Sequence, residues 1–188
     1  MTADIANRQL GGWRQYTHSV STSAWLAHHF HLHWRYSQDR QFLQDRAYPY
    51  LKEVCEFVEA ISNQRDAHGF RSVALSSSPE VGDNRPEAWV EGWSSYDLSL
   101  FRWVLGAAAD MAEALDLPDR AEHWRKVEGE FPPYSLSETG SLLVAQGVPY
   151  PEHHRHFSHA VGIHPLGLFD SLEGLEADRE LARATVAE

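Results

Sequence analysis

Two helix pairs of the same unequal kind constrain the fold of this chain more than any other feature. In the first member, "STSAWLAHHFHLHWRYS" at residues 21–37, Trp25, His29, Leu32 and Tyr36 line one face while Leu26, Phe30, His33 and Trp34 line another. Its opening Ser/Thr cluster offers an N-cap. A helix with large side chains on both faces is expected to be buried on both. The next segment, residues 39–62, gathers Leu43, Ala47, Tyr50, Leu51, Val54, Val58 and Ile61 into one stripe opposite Gln44, Asp45, Lys52, Glu53, Glu56 and Glu59. This predicts a helix with one wet side, bent near Pro49. Residues 96–115 repeat the first kind, with Leu98, Leu100, Phe101, Val104, Leu105, Ala108, Met111 and Leu115. Pro118 then suits the first turn of a helix whose narrow stripe is Ala121, Trp124 and Val127. A buried helix followed by an amphipathic one, twice, is the pattern of concentric helical rings. The expected class is all-α, an incomplete double ring with short β or loop insertions. Trp25–Trp34 and Tyr96–Leu115 are its inner helices.

At 188 residues the chain is long enough for one domain with a sizeable core. Its formal net charge of −11 argues against a nucleic-acid partner, which needs a positive field, and against anionic membrane surfaces. No apolar run approaches the length of a spanning helix. The opening "MTADIANRQLGG" carries neither the basic nor the apolar region of a secretory signal, so the cytoplasm is the default expectation. Cys55 stands alone, which excludes an intrachain disulfide. Aromatic residues make up 12% of the chain, enough both to fill a core and to offer rings on which a flat apolar ligand face can stack.

The unusual residues fall in two irregular stretches, where functional side chains concentrate. In "HGFRSVALSSSPEVGDNRPEAWVEGW" a β-like run, Phe70–Leu75, gives way to serine, proline and glycine turn signals. In "FPPYSLSETGSLLVAQGVPYPEHHRHFSH" the residues Glu138-Thr139-Gly140 suit a short hairpin. The tail from about Ser171 reads as one more helix. Within "SSSPE", Ser78 as N-cap, Pro79 at N1 and Glu80 in the first turn make a plausible helix start. The competing reading makes Glu80 a general acid near Trp89 and Trp93, kept protonated by partial burial until a leaving oxygen takes the proton. Asp83 and Asp97 are candidate partners that equally suit a turn or a cap.

The stretch "PEHHRHFSHAVGIHPLG", residues 151–167, sets five histidines and an arginine among prolines and glycines. Three readings stand. His154, His156 and His159 have the donor number of a zinc site, although Arg155 among them would repel a cation. A polar pocket gripping a small hydroxyl-rich ligand is the second, since imidazole and guanidinium hydrogen-bond in fixed planes. A network that merely packs the loop is the third. His29 and His33, four apart on one helix face, lack the glutamate of an HExxH site. Glycine-rich nucleotide loops, a GxSxG elbow and a Cys/His nucleophile pair are absent from the sequence, and no cofactor is expected.

The set "TSAWLAHHFHLHWRYSQDRQFLQDRAYPYLKEVCEF", "SSSPE", "SYDLSLFRWVLGAAADMAEAL" and "HHRHFSHAVGIHPLG", in that order, resembles the catalytic domain of glycoside hydrolase family 95, the α-L-fucosidases and related α-L-galactosidases. The resemblance covers about residues 21–170. It implies a partial (α/α)6 toroid, with residues 1–188 forming a single partial catalytic domain of three to four helix pairs. It also implies a carbohydrate substrate and inverting hydrolysis of α-L-fucosyl or related bonds within a larger enzyme. Glu80 falls at the family's general acid, and His154, Arg155, His156 and His159 fall in its sugar-binding loop, with Trp93 a further substrate contact. The asparagines and aspartate that position water in the family have no counterpart here: Asn7, Asn63 and Asn84 form no Asn-x-Asn pair. The alternative is therefore a non-catalytic carbohydrate-binding or structural remnant. Missing helix pairs would expose apolar edges, and self-association is expected.

Overall fold

The computed structural model describes residues 15, 18–83, 85–151, 154–169, 172 and 174–187, and these are mostly helical. They form two compact units. A helical unit comprises Ser21–Val73 and Leu100–Pro132; a loop unit takes its described residues from Met1–Val20, Ala74–Ser99 and Pro133–Glu188.

The helical unit opens with α1 (Thr22–Ser37). Asp39 then caps a single α turn (Arg40–Phe42) by accepting from the backbone N–H of Gln41 and Phe42 at 2.9 and 3.1 Å. A π turn (Leu43–Ala47) follows and leads into α2 (Tyr48–Ile61). The disturbance expected at Pro49 takes this form. Proline has no N–H, and its ring would press on the carbonyl of Asp45 in an unbroken α-helix. Widening the turn, with the Tyr48 N–H reaching back to Leu43 O, removes that conflict. A two-stranded hairpin, β1 (Gln64–Arg65) with β2 (Arg71–Ser72), replaces the longer run expected over residues 70–75. The rest of α3 (Ser95–Ala114), from Leu100 on, and α4 (Pro118–Gly129) complete the unit.

Its core is apolar: Leu51, Val58, Leu100, Phe101, Val104, Leu105, Met111 and Trp124 are all within 1% of complete burial. Each such side chain contributes roughly 1.5–3 kcal/mol on burial. Cys55 is fully buried, with its thiol on Val104 O at 3.5 Å, and burial, then Glu56 and Glu59, push its ionisation far up. One polar knot sits at the edge. Arg71, 7% exposed at its side chain, donates to Glu130 at 2.9 Å and to Glu59 O at 3.1 Å. The Arg65 and Arg71 guanidiniums hold the Glu130 carboxyl below its ordinary range.

The two helices expected to be inner differ. α3 is buried almost all round. α1 is not: only Ala24 and Ala27 are buried, and Trp25, Leu26 and Tyr36 stand 38%, 48% and 86% exposed. One side of α1 meets its neighbours, where Phe30 stacks on Tyr50 at 4.6 Å and Trp103 meets His28 and His31 edge-on at 5.1 and 5.3 Å. The expectation of burial on both faces thus fails for α1.

The loop unit contains β3 (Ser76–Ser77) paired antiparallel with β4 (Trp89–Val90), the first turn of α3, and α5 (Glu176–Ala187). α5 is the expected tail helix, beginning later than anticipated; Ser171 lies outside the described residues, as do Asn7 and Asn84. The expected hairpin at Glu138–Gly140 is present, with Leu136 bridging Leu142 and Gly140 at φ +85° in the turn. Thr185 of α5 ties to it, its hydroxyl accepting from Leu142 N at 3.0 Å. Among the described residues no helix is long and apolar enough to cross a membrane.

Candidate active site

Ser76-Ser77-Ser78-Pro79-Glu80 does not start a helix. Ser76 and Ser77 pair with Val90 and Trp89, and the chain then turns, Val81 N bonding Ser78 O at 3.1 Å. The local signals for an N-cap and for a turn are the same residues, and the strand pairing decides between them. Glu80 takes the left-handed conformation, φ +60°, which costs an L-residue on the order of 1–2 kcal/mol. Gly82 follows at φ +79°, and a Cβ there would lie 2.9 Å from the Ala88 backbone, so only glycine fits.

A buried polar floor supports the turn. Asp97, 2% exposed, accepts from Ser76 Oγ at 2.5 Å and from Ser77 N at 3.3 Å. Ser94 accepts from Asp97 N at 3.1 Å and donates to Ser77 O at 2.8 Å. Ser78 Oγ meets Ser158 Oγ at 2.6 Å, joining the turn to the histidine loop. From a third side comes Gln15, 2% exposed. Its Nε2 donates to Ser78 O at 2.5 Å and Val81 O at 3.1 Å, and its Oε1 accepts from Glu80 N at 2.8 Å.

Three of the residues singled out in the sequence converge. The Glu80 side chain is 14% exposed, and its Oε2 takes hydrogen bonds from the Arg155 guanidinium and, at 2.9 Å, from His156 Nε2. His154 serves the loop. Its Nδ1 lies 3.1 Å from His156 N and 3.2 Å from His156 O. Tyr150 donates to His154 O at 2.6 Å, and burial raises the Tyr150 ionisation, keeping the phenol a donor. His159 is 3% exposed and stacks on Tyr150 at 4.2 Å. Beside it Tyr150, Phe157, His159, Ala160, Thr185 and Val186 line a concavity of about 340 Å³. Trp93 is half-buried immediately before Ser94.

Among the described residues no group of three or more His, Cys, Asp or Glu side chains is arranged to hold a metal ion. His154, His156 and His159 are instead engaged with a backbone N–H, a carboxylate and a tyrosine ring respectively. Asp83 is exposed in the turn at φ +54°, and Asp97 belongs to the floor rather than to the cluster around Glu80. Gln15 escaped the sequence reading, because an isolated glutamine carries no periodic or motif signal.

The model of the glycosyl hydrolase family 95 catalytic domain matches residues 2–187 of this chain. The chain is also similar to alpha-L-fucosidase 2 of Arabidopsis thaliana, with 29% identity over 172 residues, covering 87% of this chain and 20% of that protein. It therefore spans about a fifth of the length of the curated relative it matches.

Proposed function

Because this chain belongs to the catalytic domain family of glycosyl hydrolase family 95, we propose that it supplies the general acid and part of the sugar site of a larger α-L-fucosidase-like enzyme. Glu80 protonates the glycosidic oxygen of an α-L-fucosyl or related α-L-glycoside, and a group outside these residues activates water on the opposite face, inverting the anomeric centre. His154, Arg155, His156 and His159 hold sugar hydroxyls, and Trp93 offers a ring to the apolar sugar face. The helices form part of an (α/α)6 toroid, with the whole chain belonging to one catalytic domain. On the same reading the chain expressed alone self-associates through the exposed arc of α1; sedimentation as a monomer at high concentration would break that part.

The observation that carries the reading is the convergence on Glu80. The Glu80 carboxyl is held in a left-handed turn, largely buried, with two side chains of the histidine loop, 75 and 76 residues further along the chain, on one oxygen. Those contacts suit a carboxylate, so the acid role requires Arg155 to exchange Glu80 for the substrate. Its side chain is 71% exposed and has room to do so.

Glu80→Gln tests the proposal in the complete enzyme. It keeps the shape and removes the transferable proton. Turnover of substrates with poor leaving groups is expected to fall by about 10²–10⁴-fold, with a much smaller loss on an activated phenol that departs unprotonated. Normal rates on a natural disaccharide would return Glu80 to a structural role. Binding of L-fucose by calorimetry without any turnover would favour the remnant.

A further inference from the structure

We propose that Gln15 is the positioning residue for Glu80, a role that rests on the acid reading above. Sixty-five residues earlier in the chain, Gln15 places one carboxamide across the backbone of the turn: Nε2 on Ser78 O and Val81 O, Oε1 on Glu80 N. Two carbonyls demand donors and one N–H demands an acceptor, so the partners fix which way the amide faces.

The arrangement matters because of where Glu80 sits in backbone space. At φ +60° the residue is in a conformation that L side chains rarely adopt, and such positions persist only when their surroundings over-determine them. The turn's own bonds, Val81 N to Ser78 O and Asp83 N to Glu80 O, do not engage Glu80 N or Val81 O. Gln15 supplies both. Buried backbone groups need partners, so removing the carboxamide releases the turn to relax toward negative φ. That rotation re-aims the Glu80 Cβ and carries the carboxyl away from Arg155 and His156. Gln15 acts through Glu80, so its loss should slow only the step in which Glu80 gives up its proton.

The test compares Gln15→Met, which keeps the volume and removes the carboxamide that bonds the turn, with Glu80→Gln in the complete enzyme. Two probes are used, an alkyl α-L-fucoside and an activated nitrophenyl α-L-fucoside. Expected for Gln15→Met is a fall in kcat of about 10–10²-fold on the alkyl glycoside, KM within about twofold, and a change of less than about threefold on the nitrophenyl one. Gln15→Asn keeps the polar groups one methylene short and carries the same test if the Met variant does not fold. Equal losses on both probes, or an unchanged alkyl rate while Glu80→Gln shows the leaving-group split, would overturn the role of Gln15 alone. If Glu80→Gln shows no split, the acid reading fails and takes this inference with it.

Discussion

The helical unit buries Leu51, Val58, Phe101, Val104, Met111 and Trp124, whereas the loop unit, around Glu80, buries Gln15, Ser76, Ser78, Ser94 and Asp97. The first set gains from area removed from water, a force without direction. The second gains little from area; each member needs a donor or acceptor at one place, and a missing partner leaves a buried group unsatisfied. The contrast teaches a division of labour. Apolar packing builds a body that tolerates small shifts, and directional bonds hold a carboxyl at a defined point.

Trp124→Ala, in the helical unit, should cost about 3–5 kcal/mol, read by thermal or denaturant unfolding. Cys55, fully buried in the native chain, should become reactive to thiol reagents, while the leaving-group dependence of catalysis stays unchanged. Asp97→Ala makes the opposite case. It removes the acceptor of Ser77 N and leaves Ser76 Oγ to Ser94, and should cost about 1–3 kcal/mol. Here activity should fall further than the stability loss explains, with Cys55 still protected. If Cys55 reactivity follows both substitutions alike, the two units do not behave as distinct bodies.

Gly82→Ala sharpens the picture at the turn. A Cβ at positive φ against the Ala88 backbone should destabilise by about 1–3 kcal/mol, measured by unfolding, with the activity loss concentrated on poor leaving groups. The smallest expected effect belongs to pH and the helical unit. His31 on α1 lies edge-on to Trp103, and burial, then Arg35, then His28 lower its pKa from 6.5 to about 4. The unfolded chain therefore takes up the proton first as pH falls. The contribution is whole above pH 6.5 and is lost progressively down to about pH 4. Since the ring is partly exposed, the loss should be about 1–2 kcal/mol. His31→Phe should flatten that part of the stability–pH curve.

Much of the helical unit was legible because a period of 3.6 leaves its mark on every turn: the stripe from Leu43 to Val58 follows from spacing, and the start at Pro118 from proline's fit to a first helical turn. The exposure of Trp25, Leu26 and Tyr36 was not legible, since a face written for burial does not say which neighbour covers it. In the loop unit, residue chemistry picked out Glu80, Arg155 and His156, and they meet. Of the two readings of Ser-Pro-Glu, the helix start does not form, because the deciding partners of Ser77 and Ser76, Trp89 and Val90, lie 12 and 14 residues on and pair through backbone alone. Gln15 was invisible for the same reason in stronger form, its partners being three backbone groups more than sixty residues away.

The π turn at Leu43–Ala47 has a consequence for phase. A wide turn is one residue more than an α-helix needs for the same rise, and one residue is about 100° of rotation. Leu43 and Ala47 close the two ends of this turn, Leu51 and Val58 follow it, and all four are buried. Deleting one position within the turn would let a uniform helix take its place, with the Pro49 ring again pressing on a carbonyl four residues back. In an alignment with chains that lack the proline, a one-residue gap should fall within these five positions, marking a change of helical phase rather than a loop of variable length.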